Sequence, residues 1–175
     1  MTPDGSLHQN LELKARLANP TVVAPALLAL GAQSGGRLDQ VDTYFVVPAG
    51  RLKLREIAGA EAQLIAYDRP ETQAHRVSQF RVSRVVDPAG MRQVLSTSLG
   101  VLGTVSKRRE LYLWKDSRIH LDEVEGLGSF IEFEVGSRGD AWDDRERMKV
   151  LMETFQLGPA DALRASYADL LGFTT

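Results

Sequence analysis

Three segments of this chain alternate apolar with ionised residues: Leu11-Glu12-Leu13-Lys14, Leu52-Lys53-Leu54-Arg55 and Ile131-Glu132-Phe133-Glu134. In an extended backbone, successive side chains point to opposite faces, so both charges of each pair share one face. Leu, Ile or Phe takes the other. A half-buried strand with its charges in water reads the same way. The sorting argues otherwise, because one pair is cationic, one anionic and one mixed. Such strands, brought together, line a polar channel able to hold an anion and a metal ion at once.

The cations on predicted strands are Lys14, Lys53, Arg55, Arg69, Lys107 and Arg109. Taken singly, each is an ordinary solvent-facing residue. Converging in a channel, two like charges about 4 Å apart repel by roughly 4 kcal/mol at an effective dielectric near 20. A polyanion relieves that repulsion, and the guanidinium fork suits phosphate oxygens. As a group they predict a phosphate site. The acids are Glu12, Asp122, Glu132 and Glu134. Carboxylate oxygens are hard ligands that suit Mg²⁺ or Mn²⁺ beside substrate phosphates. Salt bridges to the same Lys and Arg across neighbouring strands are the plainer alternative.

Arg118, His120 and Asp122 alternate onto one face just before Gly126 and Gly128 turn the chain into the acidic strand. His120 is placed to orient Asp122 or shuttle a proton, although a single strand histidine is more often structural. Tyr44 and Phe45 read as residues that close a barrel end, and His8 and His75 carry no assigned role. Ser96 and Ser98 fall in a predicted helix with no base in view, so a Ser-His-Asp arrangement is not indicated. No Walker A loop or dinucleotide glycine fingerprint is present, which disfavours phosphate binding at a helix amino end.

Positioning these residues requires eight strands, read at about 9–18, 41–48, 51–58, 61–69, 76–86, 103–115, 118–124 and 129–137. Pro48-Ala49-Gly50, Ala58-Gly59-Ala60 and Gly126-Leu127-Gly128 supply short turns, which favour antiparallel neighbours. Helices are predicted from Asn19-Pro20 to about 33, from Asp87-Pro88 to Gly100, over 141–157 and over 160–171. Eight antiparallel strands can close into a barrel, which removes their edges. With charges inside, the apolar outer face needs amphipathic helices to cover it. The expectation is one α+β domain spanning 1–175, a closed eight-stranded antiparallel barrel with a polar interior.

Composition sets the remaining bounds. The 175 residues are 43% hydrophobic and 25% charged, with net charge -2, ordinary for a globular domain and giving no global pull toward nucleic acid or an anionic membrane. The absence of cysteine excludes disulfides, thiolate metal sites and a cysteine nucleophile, and a cytoplasmic location is the simplest expectation. The longest apolar run, Val22 to Leu30, is interrupted by Pro25 and too short to span a membrane. Exposed helical faces leave a homodimer open.

The ordered motifs N-L-E-L-K (10–14), D-T-Y-F (42–45), R-L-K-L-R (51–55), Y-D-R-P (67–70), V-S-K-R-R (105–109) and H-L-D-E-V-E-G-L-G-S-F-I-E-F-E (120–134) closely resemble the CYTH family. That family groups class IV adenylate cyclases with thiamine triphosphatases and inorganic triphosphatases. The resemblance implies a tunnel in which Lys14, Lys53, Arg55, Arg69, Lys107 and Arg109 grip a linear triphosphate. Glu12, Glu132 and Glu134 would face Mg²⁺ or Mn²⁺, and Asp122 would complete the acidic side, with Glu12 and Asp122 as catalytic candidates. The implied ligand is tripolyphosphate, thiamine triphosphate or ATP. The family opens with E-x-E-x-K, whereas Asn10 stands first here, keeping an oxygen and losing a charge. Hydrolysis is the leading expectation, with ATP cyclisation and binding without turnover as the rivals.

Overall fold

The structure, a computed structural model, describes residues 8–68, 76–136 and 141–173. Its strands are β1 (His8–Arg16), β2 (Gln33–Phe45), β3 (Arg51–Ile57), β4 (Ala62–Asp68), β5 (Arg76–Val85), β6 (Val101–Trp114), β7 (Ser117–Val124) and β8 (Gly128–Gly136). They close into a barrel in the order β1-β5-β4-β3-β2-β6-β7-β8, with every neighbouring pair antiparallel. The helices are α1 (Val23–Leu30), α2 (Pro88–Leu99), α3 (Ala141–Thr154) and α4 (Tyr167–Leu170).

The outer face is packed as the alternation requires. Leu13, Ala15, Ile119, Ile131, Phe133 and Val135 point outward from β1, β7 and β8 and meet Met148, Leu151 and Met152 of α3, with Phe155 just beyond it. On the opposite side Phe45, Leu54, Ala62 and Val85 take Met91, Leu95 and Leu99 of α2. Asp87 caps α2 by accepting from the Gly90 amide at 2.9 Å, and Pro88 fills its first turn, where no amide partner is needed. Burying such apolar side chains stabilises by about 1.5–3 kcal/mol each. The charged faces are thereby turned inward.

Three elements differ from the sequence expectation. The predicted strand 41–48 begins much earlier, at Gln33, and the first predicted helix becomes a 3₁₀ turn at Pro20–Val22 followed by α1 ending at Leu30. The pair Gly35-Gly36, outside the predicted elements, forms a bulge: the register against β6 slips between Ser34 and Gly36, and Gly36 has φ +93°. A side chain at Gly35 would lie 2.8 Å from Leu111 Cγ, so the close approach of β6 requires glycine there.

The predicted helix 160–171 is instead a 3₁₀ turn at Pro159–Asp161, an extended stretch and the single-turn α4. It does not cover the barrel wall but closes one end. Leu163, Tyr167, Leu170, Leu171 and Phe173 pack with Tyr44, Val105, Val124 and Phe130. Ser166 and Asp169 cap this turn reciprocally, and the Leu163 amide donates to the Lys14 carbonyl at 2.7 Å.

Candidate active site in the barrel tunnel

Because neighbouring strands pair in register, inward residues of one strand lie directly beside those of the next. Asp42 is opposite Arg55, Gln40 opposite Lys107, and Tyr44 opposite Lys53. Arg109 faces Asp122, Arg118 faces Glu134, and His120 faces Glu132. Across the closing seam, Glu12 lies opposite Glu134 and Lys14 opposite Glu132. All of these except Asp42 and Asp122 line a cavity of about 300 Å³, of a size that holds a small ligand.

Two clusters occupy the tunnel. In the first, Asp42 is 1% exposed and accepts from Lys53 at 2.9 Å, from Arg55 at 2.7 and 2.8 Å, and from Lys107 at 3.1 Å. Burial pushes the Asp42 carboxyl upward, but Arg55, Lys107 and Lys53 outweigh it and hold the group well below the usual carboxylate range. Burial also lowers Lys53 strongly and brings Lys107 to about 8, against the upward pull of Asp42. Lys53 further stacks 5.5 Å from the Tyr44 and Tyr67 rings.

The second cluster is built on Arg109, which grips Asp122 with two bonds of 2.6 Å and donates to Glu132 at 2.7 Å. Lys14 pairs with Glu132 at 3.1 Å, and Arg118 with Glu134 at 2.6 Å. Burial raises both glutamates; Lys14, the neighbouring His120 and Arg109 overcome this at Glu132, while Arg118 and His120 do so at Glu134, which falls to about 2. Burial, followed by Arg109, keeps His120 below its ordinary value. With its amide oriented to satisfy both neighbours, Asn10 donates to the Gln9 carbonyl and accepts from Arg118 at 3.2 Å.

Of the residues expected from sequence, Lys14, Lys53, Arg55, Lys107, Arg109, Glu12, Glu132 and Glu134 all line the cavity. Arg69 and His75 lie outside the described residues. Asp122 is 2% exposed and stands behind Arg109, its carboxylate taken by Arg109 and the Tyr167 hydroxyl at 2.8 Å. Tyr44 lines the tunnel, whereas Phe45 points into the outer core. Ser96 and Ser98 sit on α2, away from the cavity.

Three residues of the site were not singled out for it. Asp42 appears in the D-T-Y-F motif, but its three partners become visible only when the strand register is known. Tyr167 reads as part of an apolar helical stripe, yet its ring lies 3.8 Å beneath the Lys14 ammonium. Arg118 reads onto the right face, but sequence alone gives it no partner. The interior is also less uniformly polar than expected: Ile65, Tyr67, Phe80 and Val82 form an apolar wall on β4 and β5.

Lys107 supplies a direct pH test. It carries its proton below about pH 8 and loses it above. Affinity for a phosphate ligand is expected to decline as pH rises through 8 in the native protein, and less steeply in Lys107→Arg, whose guanidinium stays charged while the lowered Lys53 still titrates. Titration calorimetry of both proteins with tripolyphosphate checks this, since the ligand's own ionisation affects the two equally.

The closed antiparallel barrel thus encloses a tunnel lined by both cations and carboxylates. The CYTH domain matches residues 8–167, and the chain belongs to the CYTH family. Members of that family bind triphosphate substrates, typically with divalent metals. A provisionally named adenylate cyclase of Methanocaldococcus jannaschii is 26% identical over 176 residues, covering 93% of this chain and 98% of its own. The PH1012 protein of Pyrococcus horikoshii superposes with TM-score 0.82 at 23% identity, over 92% of this chain and 98% of that one. A provisionally named adenylyl cyclase of Hippeastrum, described as having a dominant triphosphatase activity, superposes with TM-score 0.65 at 17% identity, over 94% of each chain. Among the described residues, no helix is long and apolar enough to cross a membrane.

Proposed function

We propose that the tunnel binds a linear triphosphate and hydrolyses it with the help of a divalent cation. The observation that carries this reading is the convergence of Lys53, Arg55 and Lys107 on the carboxylate oxygens of Asp42. Three buried cations arranged around anionic oxygens are preorganised for a phosphoryl group, so little rearrangement is needed when charge builds up on it. Lys14 and Arg109 line the same cavity while bonded to Glu132, where a second phosphate would reach them. Asp122 and Asp42 act as positioning residues that fix the guanidinium planes.

Glu12 and Glu134 are directly opposed; Arg118 offsets part of their repulsion, and a divalent cation would offset more. Their hard oxygens, together with Glu132, fit Mg²⁺ or Mn²⁺. Such an ion, when bound, would neutralise phosphate charge and lower the pKa of a bound water. Asn10 is engaged by Arg118, which leaves one acidic cluster and favours a single cation. Glu12 positions the attacking water. As the water's oxygen bonds to the terminal phosphorus, one of its protons passes to Glu12, the bridging P–O bond breaks and the remaining diphosphate leaves with the electron pair.

The apolar wall of Ile65, Tyr67, Phe80 and Val82 supports a second reading, in which the triphosphate carries an organic group and ATP is cyclised. The name of the Methanocaldococcus relative points the same way. Assays of tripolyphosphate, thiamine triphosphate, ATP and GTP against Mg²⁺, Mn²⁺ and Ca²⁺ separate the two. Metal-dependent phosphate release is the expected result; cyclic AMP with pyrophosphate from ATP would establish cyclisation instead.

A further inference from the structure

The metal reading above rests on carboxylates, yet the group lodged between two of them is a histidine. His120 is 4% exposed, and its Nδ1 is a buried atom with no hydrogen-bond partner. That atom stands 3.7 Å from Glu132 Oε2 and 3.7 Å from Glu134 Oε1. Both distances exceed hydrogen-bond reach, and an unsatisfied buried polar atom is costly to leave so. The cross-strand register fixes the arrangement, since His120 pairs with Glu132 and Arg118 with Glu134.

One donor atom from each of His120, Glu132 and Glu134 can be chosen so that all three lie within 4.8 Å of one another. For bonds of about 2.1 Å, octahedral ligands are separated by about 3 Å when adjacent and about 4.2 Å when opposed. The two 3.7 Å separations fall inside that span. Glu134 offers Oε1 because Arg118 takes its Oε2. Glu132 is more committed, with Oε1 on Lys14 and Oε2 on Arg109. A cation here competes with those partners, and a nitrogen donor with no other partner is the ligand that costs least to recruit.

We infer that His120 Nδ1 is a nitrogen ligand to the divalent cation, completing a mixed nitrogen–oxygen site with Glu132 and Glu134. This deepens the proposed function: the carboxylates alone admit Mg²⁺, and the imidazole turns the preference toward first-row transition ions, because imidazole suits these better than it suits Mg²⁺. Co²⁺ therefore binds more tightly than Mg²⁺, with Mn²⁺ between them.

Pulsed electron paramagnetic resonance of the full-length protein loaded with Mn²⁺ is the test. The expected spectrum contains a ¹⁴N coupling from a directly bound imidazole. Bound Mn²⁺ without that coupling overturns the ligand assignment and leaves the carboxylate site standing. No bound Mn²⁺ even at millimolar concentration overturns both. In parallel, calorimetry of His120→Gln, with folding verified by circular dichroism, should show Co²⁺ affinity reduced about 10-fold or more. Mg²⁺ affinity should change much less. Equal losses for both ions, or none for Co²⁺, contradict a nitrogen bond.

Discussion

Asp42→Asn is expected to lower the unfolding free energy by about 3–5 kcal/mol, because it keeps the shape of the side chain while leaving buried cations without their counter-charge. Lys53, Arg55 and Lys107 all depend on this one carboxylate, and their side chains are 11%, 15% and 2% exposed. Water cannot easily replace what Asp42 supplies. Tripolyphosphate, which offers anionic oxygens to the same cations, should restore much of the loss, so the ligand-induced rise in melting temperature is larger in the variant than in the native protein. Chemical denaturation and thermal melts with and without ligand measure both quantities. Unchanged stability would mean that the three cations are solvated and do not converge on one point.

The second large effect falls on turnover. Glu134→Ala and Lys53→Ala should each reduce metal-dependent phosphate release by about 10²-fold or more, the scale expected when a group stabilising transition-state charge is lost. The two losses have different origins. Glu134→Ala removes an oxygen from the acidic cluster and frees Arg118, so it should also weaken binding of the cation itself. Lys53→Ala leaves that cluster intact and should weaken binding of the phosphate chain. Rates measured across metal and substrate concentrations distinguish them. Full activity in both variants would place the chemistry elsewhere.

Much of this site was legible before any coordinates, because period-two alternation decides which residues share a face. Glu132 and Glu134 had to project together, as did Lys53 and Arg55, and the structure turns both pairs into the tunnel. The closed barrel followed from short turns joining strands with no exposed edge to spare. What alternation cannot supply is register between strands distant in sequence. Lys107 comes to lie beside Gln40 and in reach of Asp42 because of how β2 and β6 align, so from sequence Asp42 reads as part of a motif and not as the anion at its centre.

The other differences have similarly local causes. Gly35-Gly36 is ambiguous because glycine serves both loops and bulges, and only the approach of Leu111 settles which applies. The segment 160–171 carries apolar residues at helical spacing, but Leu163 bonds to the β1 backbone and the chain stays extended until Ser166 caps α4. Tyr167 consequently enters the tunnel end, where its hydroxyl supports Asp122. Burial holds its phenol well above the ordinary value, with Glu132 and Asp122 adding to the effect, so it remains a neutral donor.

Phosphorus NMR of tripolyphosphate mixed with the protein and Mg²⁺, a diamagnetic ion, probes the tunnel most directly. The expected result is loss of the internal phosphorus signal with equal amounts of orthophosphate and pyrophosphate appearing, and no change once the cation is chelated. A substrate spectrum that stays intact over hours with Mg²⁺ present, and no shift or broadening beyond what Mg²⁺ alone causes, would contradict a triphosphate-processing pore.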